Sequence, residues 1–482
     1  MDTKTIPTVA EHGTGPRLHG NLGTLELFFS IMAYNAPLVV VIGVIPVMLI
    51  VGNGIGTPLV FVISGVILAA FADGFIRMSK RLPRPGAFYS FITAGLGREI
   101  GLGSGLIMLA AYFAVAAGTV AFGGIVLGAL VTDTLHGPKA PWYVWGAVFW
   151  LLTAIFGYLR IDFSAKLTTI LLFCELVVVA VFDLGVVLHG GGPGGLSTAP
   201  LSPSHIFNGS FPIGMLFAMG MFGGFEVAVL FRDEVRNPDR TIPQATYGVI
   251  AAAGIVYTVT AWLFISSLGV DHAVATAAAD PEGAIHASIS QFSGKFTADA
   301  AHALVNTSSF AVLLTAHNVA ARYAFNLSAD GILPRALSGI HRRQGSPHVA
   351  SLWVTIATAL IFVPIVALHI DPYAFYAAIL GIASIAALIV FFASNAAVMR
   401  YMRSVGTRET ALHRIVLPVL AALGLGTTLV LGVKNFKVLT GGSDALSNWL
   451  LVVIVAIFGA GVLMAMVYRR SRPDVYQRIG RQ

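Results

Sequence analysis

The chain has 482 residues, 56% of them hydrophobic and only 11% charged, with a mean hydropathy of +0.83 and a formal charge of +7. Soluble domains carry about 25% charged residues, so this composition excludes a soluble globular fold and points to an all-α integral membrane protein. The basic excess implies no nucleic-acid partner, because it sits beside the apolar stretches, where Lys and Arg attract anionic lipid headgroups.

Residues 1–22 form a polar tail without the basic start and small-residue cleavage site of a secretory signal, so the first apolar stretch is expected to remain in the mature protein. A helix needs about 20 apolar residues to cross a hydrocarbon core about 30 Å thick. Twelve such spans are predicted, at 24–49, 57–76, 101–132, 142–159, 164–188, 211–231, 244–267, 298–325, 349–368, 373–397, 414–433 and 448–468. The Gly-, Pro- and Ser-rich stretch 189–210 is the expected joint between two five-span halves, 23–188 and 211–397. Residues 398–468 carry the last two spans, and 469–482 form a second tail. The polar stretch from Asp271 to Lys295 is expected to hold a short surface helix. The single cysteine, Cys174, lies in the fifth span, so no intrachain disulfide forms.

Of the 29 Lys and Arg residues, all but Lys139, Lys295, Lys434 and Lys437 fall in the tails or in alternate loops on one side. The positive-inside rule then predicts cytoplasmic termini in a plasma or inner membrane, which requires an even number of spans.

Two predicted spans look interrupted, and each opens one half. Tyr34-Asn35-Ala36-Pro37 places a proline in mid-membrane, where it removes a backbone hydrogen bond. In the sixth span, Gly220, Gly223 and Gly224 precede Glu226. Matched interruptions in two halves mark the midplane site of a transporter, although proline also makes plain kinks and glycine also serves close helix packing. A carboxylate in such a span costs at least about 2.5–3.5 kcal/mol and commonly marks a substrate or ion path. Glu226 can bind a substrate amine, carry a proton or latch the halves, or serve only as a hydrogen-bond partner of unwound backbone.

Glu175, near the middle of span five, is a second candidate for carrying a proton. Asp183, toward the far end of the same span, reads as interfacial. In span eight, Thr307, Ser308 and Ser309 offer hydroxyl oxygens that suit a hard cation such as Na+ or simply glue helices together. His317 in the same span is a further proton candidate beside a structural reading. Asp73 and Arg77, at i and i+4, read as a structural ion pair. Nothing resembles a catalytic nucleophile motif, a metal cage or a phosphate loop, so neither an enzyme nor a bound cofactor is expected.

Three loci resemble the amino acid-polyamine-organocation permeases. They are Pro83-Arg84-Pro85-Gly86-Ala87-Phe88-Tyr89; Gly224-Phe225-Glu226 with Glu234-Val235-Arg236-Asn237-Pro238-Asp239-Arg240-Thr241-Ile242-Pro243; and Ala321-Arg322-Tyr323-Ala324 through Asp330-Gly331-Ile332-Leu333-Pro334. The resemblance implies a LeuT-like five-plus-five inverted repeat with two C-terminal helices added, and alternating access around a site between spans one and six, with contributions from three, eight and ten. Carried over by position, it puts Gly220, Phe222 and Glu226 at the substrate, with Phe222 as an aromatic gate, and the two matched breaks add Asn35, Ala36, Pro37, Gly223 and Gly224 to the expected substrate site. Glu175 falls where sodium-independent relatives place a lysine, which makes an acid there a departure. Span one departs too, since Ala36-Pro37-Leu38-Val39-Val40-Val41 replaces the glycine-rich carboxylate cradle.

The expected function is secondary active transport of amino acids, coupled to H+ or Na+ or run by exchange. An amine, polyamine or ethanolamine permease of the same fold is the alternative. From another class, a membrane sensor or channel-like pore fits the same helices.

Overall fold

The computed structural model describes residues 22–82, 88–159, 165–225, 227–230, 232, 235–340, 347–404 and 409–480. Glu226, Glu234, the Pro83–Ala87 part of the first locus, Arg160 and the tail 1–21 lie outside the described residues.

The described secondary structure is helical apart from one parallel bridge between Leu22 and Val235. The first span comprises α1 (Thr24–Asn35), then α2 (Pro37–Val39), a π-helical stretch Val40–Val44 and α3 (Ile45–Val51). It is followed by α4 (Thr57–Ser79), α5 (Phe88–Leu96), α6 (Arg98–Ala129), α7 (Trp142–Leu159) and α8 (Ala165–Leu188). The second half holds α9 (Phe211–Met221), α10 (Val227–Leu230), α11 (Pro238–Leu268), α12 (Ala273–Ala279), α13 (Pro281–Ser293), α14 (Lys295–Ala329), α15 (His348–Ala367) and α16 (Pro372–Ser404). Then come α17 (Leu417–Lys434), α18 (Asp444–Ser471) and the short α19 (Pro473–Arg478).

Among the described residues, ten helical segments are long and apolar enough to cross a membrane. The protein is therefore an all-α, multi-spanning membrane protein. The ten correspond to ten of the twelve expected spans, and the two others differ for distinct reasons. The sixth is interrupted, so its first piece, α9, has 11 residues, too few to cross alone. The eighth, α14, has 35 residues and ample length, but its His, Asn, Ser and Thr side chains make it markedly more polar than the other ten.

Packing separates a centre from a rim. In its most apolar window the first span is 83% buried, whereas α18 is 17% buried, and of its Leu, Val and Ile side chains only Ile454 is buried. Around the first span, α6 packs against α16, α14 and α7, while α4 packs against α11, α9 and α17. The stretch 269–294 is also more than a surface helix. It forms both α12 and α13, and Ile285, Ile289 and Phe292 of α13 are buried. The tail after 468 is not loose either, because α18 runs on to Ser471 and α19 docks: Tyr476 donates to Glu99 Oε1 at 2.7 Å, and the Gly480 amide donates to the Tyr89 hydroxyl at 2.9 Å.

On the face that carries Leu22 and α19, the expected Asp73–Arg77 pair forms at 2.9 Å and grows into a network. Asp73 also accepts from the Tyr247 hydroxyl at 3.1 Å and faces His413 Nδ1 at 3.0 Å, while Arg77 and Arg81 both pair with Glu409. Asp73 thus ties α4 to α11 and to the start of the eleventh span. Asp73→Ala leaves these partners unmatched. The expected loss lies between the ~3–5 kcal/mol of a fully buried pair and the ~1 kcal/mol of an exposed one. A thermal melt in detergent should show a fall of several degrees, and an unchanged melt would mean that the network adds nothing.

Candidate functional site

The interruption in span one has a specific geometry. Helix α1 ends at Asn35, and Ala36 takes the left-handed conformation (φ 44°, ψ 67°) that non-glycine residues rarely adopt. Pro37 has no N–H to offer. The Ala36 amide donates to Ala33 O, and those of Val39 and Val40 donate to Ala36 O. The remaining amide, that of Leu38, donates to Glu175 Oε2 at 3.3 Å. The start of the second half-helix, where aligned dipoles favour an anion, is thus already answered by a carboxylate from span five.

Glu175 is 4% exposed and neighbours Ser308 of α14. It lies in a small cavity of about 20 Å³ with Thr168, Thr307 and Ser308. That is room for about one water. Ser309 is fully buried but is not a wall of this cavity, and its hydroxyl has no partner among the described residues.

In span six, α9 stops at Met221, residues 222–225 form turns, and the short α10 follows. Gly224 sits at φ 102°, a conformation open to glycine. Opposite the first break, these turns enclose a second cavity of about 150 Å³. Its walls come from Asn35, Ala36, Gly220, Gly223 and Gly224, from Met108, Tyr112 and Thr119 of α6, from Val312 and Ala316 of α14, and from Tyr376, Ser384 and Phe391 of α16. No Asp, Glu, Lys, Arg or His lines it among the described residues.

Asn35 is the most telling wall residue. It is 7% exposed, and neither its amide nitrogen nor its amide oxygen has a partner among the described residues. A buried amide left unsatisfied costs about 1–3 kcal/mol, so a ligand with both donor and acceptor groups is the natural complement.

Other expected positions lie elsewhere. Phe222 is not a cavity wall; it is 1% exposed and packs on Phe61 and Tyr257, with ring centroids 6.5 and 6.0 Å away. This placement corrects its assignment to the pocket. Pro37 is likewise absent from the walls and acts through the backbone it interrupts. His317 is 3% exposed, bonds Ser351 at 2.8 Å and packs against Gly157, away from either cavity. Asp183 accepts from Thr260 of α11 at 2.9 Å. Sequence reasoning missed the aromatic floor: Phe225 of the Gly-Phe-Glu motif meets Phe71 (5.9 Å) and Phe391 (6.0 Å) within a cluster that includes Phe75 and Phe88. Phenylalanines distributed over three helices and a turn leave no local pattern by which to find it.

The family model for amino acid permeases matches residues 36–477, nearly the whole chain. The chain belongs to the amino acid permease family. Members of that family are membrane transporters rather than enzymes. This permease is 25% identical over 328 residues to the branched-chain amino acid permease BcaP of Bacillus subtilis, covering 64% of this chain and 67% of the relative. It is 26% identical over 317 residues to an uncharacterised transporter of Mycobacterium tuberculosis (64% and 66%), and 25% identical over 318 residues to the aromatic amino acid transport protein AroP of Escherichia coli (61% and 66%). The matched stretches span about two thirds of these relatives' length.

Proposed function

We propose that the permease is a secondary active transporter moving amino acids with apolar side chains by alternating access, with Glu175 as the proton-coupling carboxylate. The observation that carries this reading is a cavity at two facing helix breaks that no charged side chain lines among the described residues, with the Asn35 amide, unpartnered among those residues, in its wall. In this reading the substrate's ammonium group meets the carbonyl ends of α1 and α9, its side chain lies among Val312, Ala316 and Phe391, and Asn35 takes its polar end. The names of two relatives, a branched-chain permease and an aromatic transporter, fit the same apolar class. The ten membrane segments, together with the interrupted α9–α10 and the polar α14, would then make twelve spans. Five and five would form the inverted repeat, with α17 and α18 added, and the basic face bearing both termini would be cytoplasmic.

The test is uptake of radiolabelled leucine and phenylalanine into reconstituted liposomes, with and without a pH gradient. Concentrative uptake or exchange is expected; absence of both defeats the proposal. Asn35→Ala is expected to raise KM about tenfold or more, since a hydrogen bond to a charged group contributes about 1.5–3 kcal/mol. An unchanged KM would remove Asn35 from recognition.

A second reading is favoured by one observation, the occupation of the Leu38 amide by Glu175. With that amide engaged, span one offers a substrate carboxylate no cradle, and an apolar amine would fit the cavity without one. Isoamylamine outcompeting leucine in the same assay would select the amine.

A further inference from the structure

We propose that His286, His302 and Glu282 form a proton-binding site, apart from the transport cavity, whose protonation releases α13 from α14. Glu282 and His286 stand one helical turn apart on α13 and so share a face. His302 comes from α14. The two imidazoles stack with centroids 3.7 Å apart and planes inclined by 16°. His302 is 2% exposed; its Nδ1 lies 3.0 Å from the Thr134 hydroxyl, and its Nε2 lies 2.7 Å from Glu282 Oε1, in ionic contact though off the line of a good hydrogen bond.

The surroundings decide how many protons the site holds. Glu282 faces it from α13, Asp299 from α14 with Lys295 bound to it at 2.7 Å, and Asp133 from the end of the third span, while Asp280 and Asp371 act on the neighbouring Tyr373. Tyr373 at the start of α16 adds a buried hydroxyl without a partner among the described residues. Glu282 can balance one imidazolium. A second, on the half-buried His286 and face to face with the first, meets direct repulsion. Burial and His302 accordingly hold His286 below the usual histidine range.

The sign follows from that direction. Freed from α14, His286 takes a proton more readily than when docked. Docking is therefore at full strength above about pH 6.5, the ordinary histidine value, and weakens as the pH falls through it. The consequence reaches span one, because α13 packs against α3 and the π-helical stretch after the break, and its Phe292 covers α8 at His189. Acid on this face, the one opposite α19, would loosen the far half of the interrupted span. The site stands whether or not the substrate is an amino acid.

Hydrogen exchange on the purified full-length protein tests it, comparing protection factors at about pH 7.5 and about pH 5.5, on either side of the histidine range. In the wild type, protection of residues 281–293 is expected to fall about tenfold in acid as His286 takes its proton, while α17 is unchanged. His286→Phe keeps a stacked ring without a charge and is expected to stay protected at both values. If that variant is already unprotected near pH 7.5, His286→Gln takes its place in the comparison. Equal wild-type protection at both values overturns the proposal outright. So does a full acid response in whichever variant retains its protection near neutrality, or an unprotected 281–293 segment in both variants at either pH.

Discussion

Glu175→Gln is expected to fold, reach the membrane and lose at least about 90% of uptake driven by a pH gradient, while exchange of internal for external substrate persists. The amide keeps an oxygen to accept from Leu38 N–H, so the break in span one retains its partner. What it loses is the ability to gain and release a proton. Because Glu175 touches the first, fifth and eighth spans at once, a change in its charge is felt by both proposed halves. Glu175→Ala differs in kind, since it strands a buried N–H at a cost of about 1–3 kcal/mol, and stability and exchange are expected to fall together. Wild-type pH-gradient uptake in the glutamine variant would exclude Glu175 as the coupling group. Replacing sodium by choline should leave wild-type uptake unchanged; a requirement for sodium would move coupling to the Thr307–Ser308 hydroxyls.

Two adjacent glycines in span six should behave oppositely. Gly224→Ala is expected to lower initial transport rates by about ten- to a hundredfold with normal amounts of protein in the membrane. Its φ of 102° is open only to glycine, and a β-carbon there would run into the Tyr34 ring and crowd Asn35 Oδ1. Strain of this kind costs about 1–3 kcal/mol and would displace the side chain proposed to hold the substrate. Gly223→Ala meets only the Gly220 carbonyl, at 3.1 Å, without a positive φ, and should cost at most a few-fold. Equal rates in the two variants would mean that the Gly224 conformation has no part in transport.

The membrane architecture was legible because about 20 apolar residues in a row have few other uses, and the breaks because proline and paired glycine act on the backbone wherever they stand. The partner of the first break was not. Nothing local in Tyr34-Asn35-Ala36-Pro37 says that the Leu38 amide will be met by an acid 137 residues later. Aromatic contacts fail for the same reason: Phe222 and Phe225 stand three apart in one turn, yet one packs on Phe61 and Tyr257 and the other on Phe71 and Phe391. The Glu282–His286–His302 cluster escaped notice because each member is an ordinary surface-type residue until α13 folds onto α14. Glu226, the most conspicuous acid in the sequence, lies outside the described residues, and its role rests on its place after Gly224-Phe225.

The Leu38–Glu175 contact also sets a timetable for synthesis. At about 5–20 residues per second, a separation of 137 residues leaves the Leu38 amide waiting roughly 7 to 27 s after it is made before Glu175 exists, and Ser308 comes later still. Throughout that interval the Leu38 amide has no Glu175 to donate to, and a polar group left unanswered in hydrocarbon is costly. Insertion of the first span therefore calls for a temporary host, water or an insertase groove, until the fifth span arrives to displace it.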